Sequence, residues 1–416
     1  MTINNNADQL GIDYDVESEE AACKDTVTRT EDSVTGIEDT VGQERIDATD
    51  VEDLYDNQWI PKATEDDEPD DTRMDGWSFL GIQFAPINIP LQRRLQTLAV
   101  LLWFSFMLII GWVSFLILAY IALYTNYWWI SLAYLTWYIG DRSICIKGGR
   151  RFTSFRKFKL WDRFAEYFPI TLIKTVDLDP RKNYIMGYHP HGVLAAGAVG
   201  SFATEGTNFS KKYPGLTPYV LTLPLNFHFP FSRELLMASG MVSCSKESLD
   251  YVLGQAPGSG HTIVVVPGGA KESLNAKPGT AILYLKKRVG FIKMALRHGA
   301  SLVPIYTFGE NEIYHQVDNP EGSLLRKFQD KLQQLISFSP VIFQGRGIFQ
   351  YSFGLMPFRK PMYTVVGGPI DVQQVTEPTT EQIMNLHSKY IDAVTELYNK
   401  YRHTYSPYPN VDLKII

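Results

Sequence analysis

The 416-residue chain has three cysteines, Cys23, Cys145 and Cys244, and their spacing suits neither a disulfide framework nor a zinc site. Structural disulfides are not expected, so the working part should face a reducing compartment. Other absences narrow the chemistry. There is no G-x-S-x-G elbow, which argues against a lipase. Neither a P-loop nor a dinucleotide-binding glycine fingerprint occurs. The N-terminus lacks a basic start followed by an apolar run, so no cleavable signal peptide is expected. Basic residues are scarce in residues 1–76, where 24 Asp or Glu face 5 Lys or Arg. The same stretch is short of large aliphatic side chains, so it is expected to form a disordered acidic leader.

The rest of the chain reverses that balance. Residues 77–416 carry a formal net charge of +13 against −19 for the leader. A basic working part suits an anionic membrane surface or an anionic cosubstrate, and equally an ordinary solvated surface. Nothing in the pattern points to nucleic acid.

Charge is missing altogether from Thr97 to Gly140, a run of 44 residues. Crossing a bilayer core takes about 20 helical residues, so the run has room for two passes. Thr125-Asn126 breaks it between Tyr124 and the aromatic group Tyr127, Trp128 and Trp129. That composition suits a turn at a membrane interface. Arg93 and Arg94 precede the run; Arg142, Lys147, Arg150, Arg151, Arg156, Lys157 and Lys159 follow it. Basic flanks on both sides predict a hairpin with both ends in the cytosol, fully spanning or half-inserted. A pair of buried core helices is the alternative. Residues 77–96 form a membrane-proximal segment ahead of it.

Residues 141–416 alternate short apolar runs with amphipathic stretches. The strands expected are Asn183–Tyr188, Val220–Phe229, Thr262–Val266, Ser301–Thr307 and Met362–Val366. The helices expected are Ala195–Glu205, Ser232–Ala238, Lys246–Leu253, Val289–Arg297, Leu324–Leu335 and Glu381–Tyr401. This alternation predicts an α/β domain, a mixed and largely parallel sheet with flanking helices.

Two segments carry the chemistry. In Tyr188-His189-Pro190-His191-Gly192 a strand passes through two histidines into a small-residue helix. Proline stiffens the turn and Gly192 permits an unusual backbone angle. An imidazole at a strand's carboxyl end is placed where open α/β sheets keep their sites, and it can serve as a general base. A His-x-His metal pair and plain structural histidines remain alternatives. The second segment follows the strand Thr262–Val266. There Pro267-Gly268-Gly269 lets backbone approach a ligand, and Glu272 could orient an imidazole as the third member of a triad. Weaker candidates are Tyr167-Phe168-Pro169 at a membrane surface, Arg288 and Lys293 for phosphates, and Glu310-Asn311 beside a pocket. Each has a plainer reading as turn, solvated face or cap.

Taken together these stretches resemble the type-2 diacylglycerol O-acyltransferases, a family that includes monoacylglycerol and wax-alcohol acyltransferases. The likeness continues through Phe202–Gly206, Lys287–Lys293, Leu302–Ile305, Gly345–Gly347 and Val365–Ile370, and runs from about Leu91 to the C-terminus. It implies a glycerolipid-acyltransferase-like fold, acyl-CoA as cosubstrate with no further cofactor or metal, and diacylglycerol as acceptor. An endoplasmic-reticulum membrane and lipid-droplet location follows from the likeness, with a homo-oligomer left open. The family's essential histidines map onto His189 and His191, and its carboxylate after Gly-Gly maps onto Glu272. Glycerolipid acyltransferases with a histidine, four residues and Asp differ, because Leu194 and Ala196 stand at the corresponding positions here. A non-catalytic hairpin protein that coats lipid droplets is the alternative from a different class.

Overall fold

The computed structural model describes residues 77–416 apart from 87, 256–257, 321 and 337–339. The acidic leader and Cys23 lie outside the described residues. A seven-stranded sheet organises the rest. Its strands are β1 (Ile170–Lys174), β2 (Tyr184–His189), β3 (Thr217–Thr222), β4 (Met241–Ser243), β5 (His261–Val265), β6 (Ser301–Phe308) and β7 (Met362–Val366). They lie in the order β1-β7-β6-β2-β5-β3-β4. Strands β6, β2, β5, β3 and β4 are mutually parallel, whereas β7 runs against β6 and pairs in parallel with β1. The central strands are apolar on both faces, as a sheet covered by helices on both sides requires.

The helices that matter for the site are α1 (Leu91–Leu108), α2 (Ile110–Tyr124), α3 (Trp128–Asp141), α4 (Lys159–Tyr167), α5 (Lys246–Leu253), α6 (Gly290–His298) and α7 (Thr380–Tyr405). One apolar cluster joins α1 and α4 to one sheet face through Trp103, Trp161, Phe164 and Phe168. A second joins α5, α6 and α7 to the other face through Val252, Phe291, Tyr390 and Tyr398. Helix α7 begins at a capping box, with the Thr379 side chain accepting from Gln382 N–H.

Most expected elements appear within a residue or two of their predicted bounds. The strand expected at Val220–Phe229 ends at Thr222, and Pro224–His228 forms a 3-10 turn. Pro224 cannot donate to a sheet ladder, which explains the stop. The helix expected at Ala195–Glu205 is one short turn, Ala196–Ala198, followed by a π-helical stretch, Val199–Ala203. The Thr204 hydroxyl donates to the Val199 and Gly200 carbonyls of this stretch. Strands β1 and β4 had no counterpart in the expectations.

The uncharged run also departs from a simple hairpin. Its turn falls where expected, after Tyr124. Its first arm, however, breaks at Ile109, and α1 meets α2 at 54°. Ala99, Val100, Trp103, Phe104 and Phe106 are buried against the domain, so much of α1 is core helix. No single described helix is long and apolar enough to cross a membrane; the bent pair α1–α2 is, by length and composition. Part of the basic flank is structural. Arg156 is fully buried and donates to the carbonyls of Ala203, Ser239 and Phe202 and to Glu205. Arg150 and the buried Arg233 both pair with Asp141 at the end of α3, tying the hairpin to the domain.

Candidate active site

Parallel strands bring their carboxyl ends to one edge, so the loops after β2, β5 and β6 converge there. Register places His189 beside Tyr306 and Gly187 beside Val265. The loops that follow carry His191, Glu272 and Glu310 respectively. Alternation along β2 sends Tyr188 and His189 to opposite faces.

His189 is fully buried. Its Nε2 lies 3.0 Å from the Tyr390 hydroxyl, which itself donates to the Gly187 carbonyl at 3.2 Å. Nε2 therefore donates to the hydroxyl oxygen, and Nδ1 is buried with no partner among the described residues. Burial holds the pKa of this imidazole down to about 3, so it is neutral. The next peptide, His189–Pro190, is cis.

His191 is only half-buried. Its Nδ1 sits 3.1 Å from the Gly192 carbonyl oxygen. A carbonyl only accepts, so Nδ1 carries the proton and Nε2 keeps its lone pair. Burial lowers the pKa, opposed by the bond to Gly192. The residue thus has the tautomer and the access that a base requires.

Glu272 reaches the motif in a different way from the triad expected. Its carboxylate accepts the backbone N–H of His191 at 2.5 Å and that of Tyr284 at 3.0 Å, and it makes no hydrogen bond to either imidazole. Two main-chain donors at that position capture the carboxylate before a ring could. Gly268 is required for this: a Cβ there would overlap the Glu272 carboxylate. Burial pushes the Glu272 carboxyl up to about 7, while the two N–H donors and nearby Arg288 pull it down.

Glu310 is more central than a pocket-lining or cap residue. It is fully buried and accepts from the Tyr188 hydroxyl at 2.7 Å, from Ala196 N–H at 2.8 Å and from Gly197 N–H at 2.9 Å. One carboxylate thereby holds the strand before the histidines and the helical turn after them. Gly192, at φ +61°, leaves room for it, since a Cβ would stand 2.7 Å from Glu310 Cγ. Burial raises this carboxyl also to about 7. Glu272 and Glu310 grip the loop from two sides.

The remaining candidates divide. Asn311 is buried and its amide donates to the Thr280 carbonyl. It lines a cavity of about 30 Å³ together with Pro190, Glu312 and Tyr398. Gly269, at φ +56°, opens the short helix that carries Glu272. Arg288 and Lys293 lie just before and within α6, both half-buried. Tyr167 and Phe168 are not surface residues: both are fully buried, and only Pro169 is exposed. The amphipathic α4 turns its apolar face to α1 and carries them into the core. There the Tyr167 hydroxyl donates to the Pro357 carbonyl, with Arg346 and Arg359 against its ring. Tyr390 was not foreseen; as one aromatic on the apolar face of a long helix it carries no local signal.

A model of the family described as diacylglycerol acyltransferase matches residues 120–416. The chain belongs to the diacylglycerol acyltransferase family. It is 50% identical over 324 residues to 2-acylglycerol O-acyltransferase 1 of Bos taurus, covering 78% of this chain and 96% of the relative. It is 46% identical over 330 residues to diacylglycerol O-acyltransferase 2B of Umbelopsis ramanniana, covering 78% and 93%. Human diacylglycerol O-acyltransferase 2 is 46% identical over 312 residues, covering 75% and 80%. A solved bacterial structure, the 1-acyl-sn-glycerophosphate acyltransferase PlsC of Thermotoga maritima, overlaps at TM-score 0.33 and 12% identity, covering 74% of this chain and 97% of that one. As a member of this family the chain is an acyltransferase, and the loop His189–Gly197 with Glu272 and Glu310 is its candidate active site.

Proposed function

We propose that the enzyme moves a fatty acyl group from acyl-CoA to the free hydroxyl of diacylglycerol, forming triacylglycerol. The observation that carries the mechanism is the half-buried His191, with Nδ1–H donated to Gly192 O and Nε2 left as the proton acceptor. Nε2 takes the acceptor's hydroxyl proton as its oxygen attacks the thioester carbonyl. Backbone N–H groups around Gly192 and Gly268-Gly269 stabilise the oxyanion. The tetrahedral intermediate collapses, the C–S bond breaks, and the CoA thiolate takes the proton back from the imidazolium. Glu272 and Glu310 hold the loop in place and neither touches the reacting atoms. His189 supports the strand end through Tyr390.

Diacylglycerol would approach from a membrane gripped by the α1–α3 hairpin, at the endoplasmic reticulum or a lipid droplet. Acyl-CoA would arrive from the cytosol, drawn by the basic surface that includes Arg288 and Lys293. A monoacylglycerol acceptor is the second reading, favoured by the 50% identity to a 2-acylglycerol acyltransferase. The deciding experiment supplies labelled acyl-CoA to microsomes containing the enzyme, with monoacylglycerol, diacylglycerol and long-chain alcohol as acceptors. Label in triacylglycerol supports the proposal. Label confined to diacylglycerol or wax ester moves the acceptor. No acyl transfer at all, with free fatty acid instead, removes it.

A further inference from the structure

Exposed large apolar side chains are distributed very unevenly between the two ends of the sheet. Four loops at the end opposite the histidines, residues 175–183, 211–216, 254–260 and 367–379, expose none among the described residues, although Phe152, bonded to the Ala238 carbonyl just before β4, is exposed at that end. They present Asp177, Arg181, Lys182 and Asp371 instead. The histidine end is the reverse, and not only because of the hairpin. The excursion between β6 and β7 leaves from and returns to that end, since β7 is antiparallel to β6. Within it, Gly345–Met356 doubles back on itself, with Gly345 N–H bonded to Gly354 O and Arg346 paired with Met356. Residues 77–84 form a small β-hairpin laid against it through Phe84–Gln350, Ala85 N–H to Phe349 O and Tyr351 N–H to Gln83 O.

The two pieces make one finger with a greasy surface. Trp77, Phe79, Leu80, Phe349, Phe353 and Leu355 are exposed, Leu80 by 85% and Phe349 by 80%. Residues 77–92 contain no charge, and the one charged residue of 345–356, Arg346, is buried at the base against Tyr167 and Tyr351. The base is also joined to α1. Arg359 donates to Gln96, Thr97 and the Arg93 carbonyl while packing on the same Tyr167 ring. The finger is thus fixed beside the first turns of the helix that leads into the uncharged run.

We infer that this finger is a second lipid-contact element, which inserts its apolar side chains into the leaflet that holds the hairpin. Aromatic and leucine side chains without charge suit that interface, and a patch of this kind is otherwise costly to expose. Two fixed contacts flanking the histidine end would keep the carboxyl edge of the sheet facing the lipid. The inference rests on the membrane reading of the hairpin.

The test uses the full chain in phosphatidylcholine vesicles, with an environment-sensitive fluorophore on single cysteines in a cysteine-free background that retains acyl transfer. Positions are Leu80→Cys and Phe353→Cys on the finger, Leu116→Cys on α2 and Asp371→Cys at the opposite end. Nitroxide-labelled lipid is the quencher. Several-fold quenching at 80 and 353, with 371 unchanged, supports the inference. Quenching at 116 but not at 80 or 353 overturns it and leaves the hairpin reading intact. A blue-shifted but unquenched label at 353 also overturns it, because the finger is then covered by the acidic leader or another protein. Loss of quenching at 116 removes the hairpin reading separately.

Discussion

Replacing Glu310 with glutamine changes one atom and reverses the hydrogen-bond arithmetic of the histidine loop. The native carboxylate accepts three donors, two at Oε2 (Tyr188 hydroxyl and Gly197 N–H) and one at Oε1 (Ala196 N–H). A glutamine can leave its carbonyl at the first pair only by turning its NH2 toward Ala196 N–H. Donor then faces donor in a site with no water access. Stranding a buried donor costs about 1–3 kcal/mol, and the loop relieves it by moving. A shift of roughly 1 Å in a base costs on the order of 100-fold in rate. Glu310→Gln is therefore expected to lower kcat by about 10- to 100-fold, with a smaller change in KM for acyl-CoA. Tyr188→Phe removes one of the three bonds and should lose about 1 kcal/mol of stability with a milder rate effect. Glu310→Ala strands all three donors and should be the least stable. Initial rates with labelled acyl-CoA, read beside melting temperatures of the detergent-purified variants, make the comparison. A Glu310→Gln enzyme with native turnover and melting temperature would refute the reasoning, because the loop would then be held by something else.

Other outcomes follow from the same geometry. His191→Gln should reduce turnover by roughly 10²- to 10⁴-fold with little loss of stability, as removal of a general base does. His189→Gln should act mainly on stability, by disturbing the Tyr390 contact; the reverse pattern in paired rate and melting measurements would exchange the two roles. The pH dependence should split in sign. Burial raises the Glu272 and Glu310 carboxyls above their ordinary values, to about 7. The stability tied to their protonated forms is thus complete below the unfolded carboxyl range and lost as pH rises through about 7. Only the ionised forms accept every loop donor, so turnover should rise over that same window, and Glu272→Gln should make both curves shallower, leaving the part due to Glu310. Phe164→Ala, in the α1–α4 contact, should cost about 3–5 kcal/mol without altering the pH profile, measured by thermal unfolding.

Part of this was legible along the chain because it is local. The strand β2, the turn Pro190–Gly192 and the helices around α5, α6 and α7 show through periodicity and through proline and glycine, whose effects act on their own backbone. The histidine motif stands out because two imidazoles flank a proline. The uncharged run is visible by composition, and so is its turn at Thr125-Asn126. Its division of labour is not. Which apolar side chains of α1 face the domain depends on α4, 50 residues further on, and apolar residues look alike whether they meet protein or lipid.

What the carboxylates bind was likewise decided only by tertiary structure. A glutamate after two glycines can be read as a triad member. Its proton acceptors could go to a ring or to backbone N–H groups, and the choice depends on where β5 lies beside β2. Glu310 looked like a cap until β6 placed it under a loop 114 residues earlier in the chain. Tyr167 and Phe168 looked interfacial because basic residues precede them, and the packing of α4 on α1 buried them instead. The sequence by itself determined the family, the sheet class and the two histidines, since those rest on residue type and short spacing. Tertiary structure alone decided which histidine is accessible, what the two carboxylates grip and which end of the sheet is apolar, since each depends on side chains brought together from distant strands.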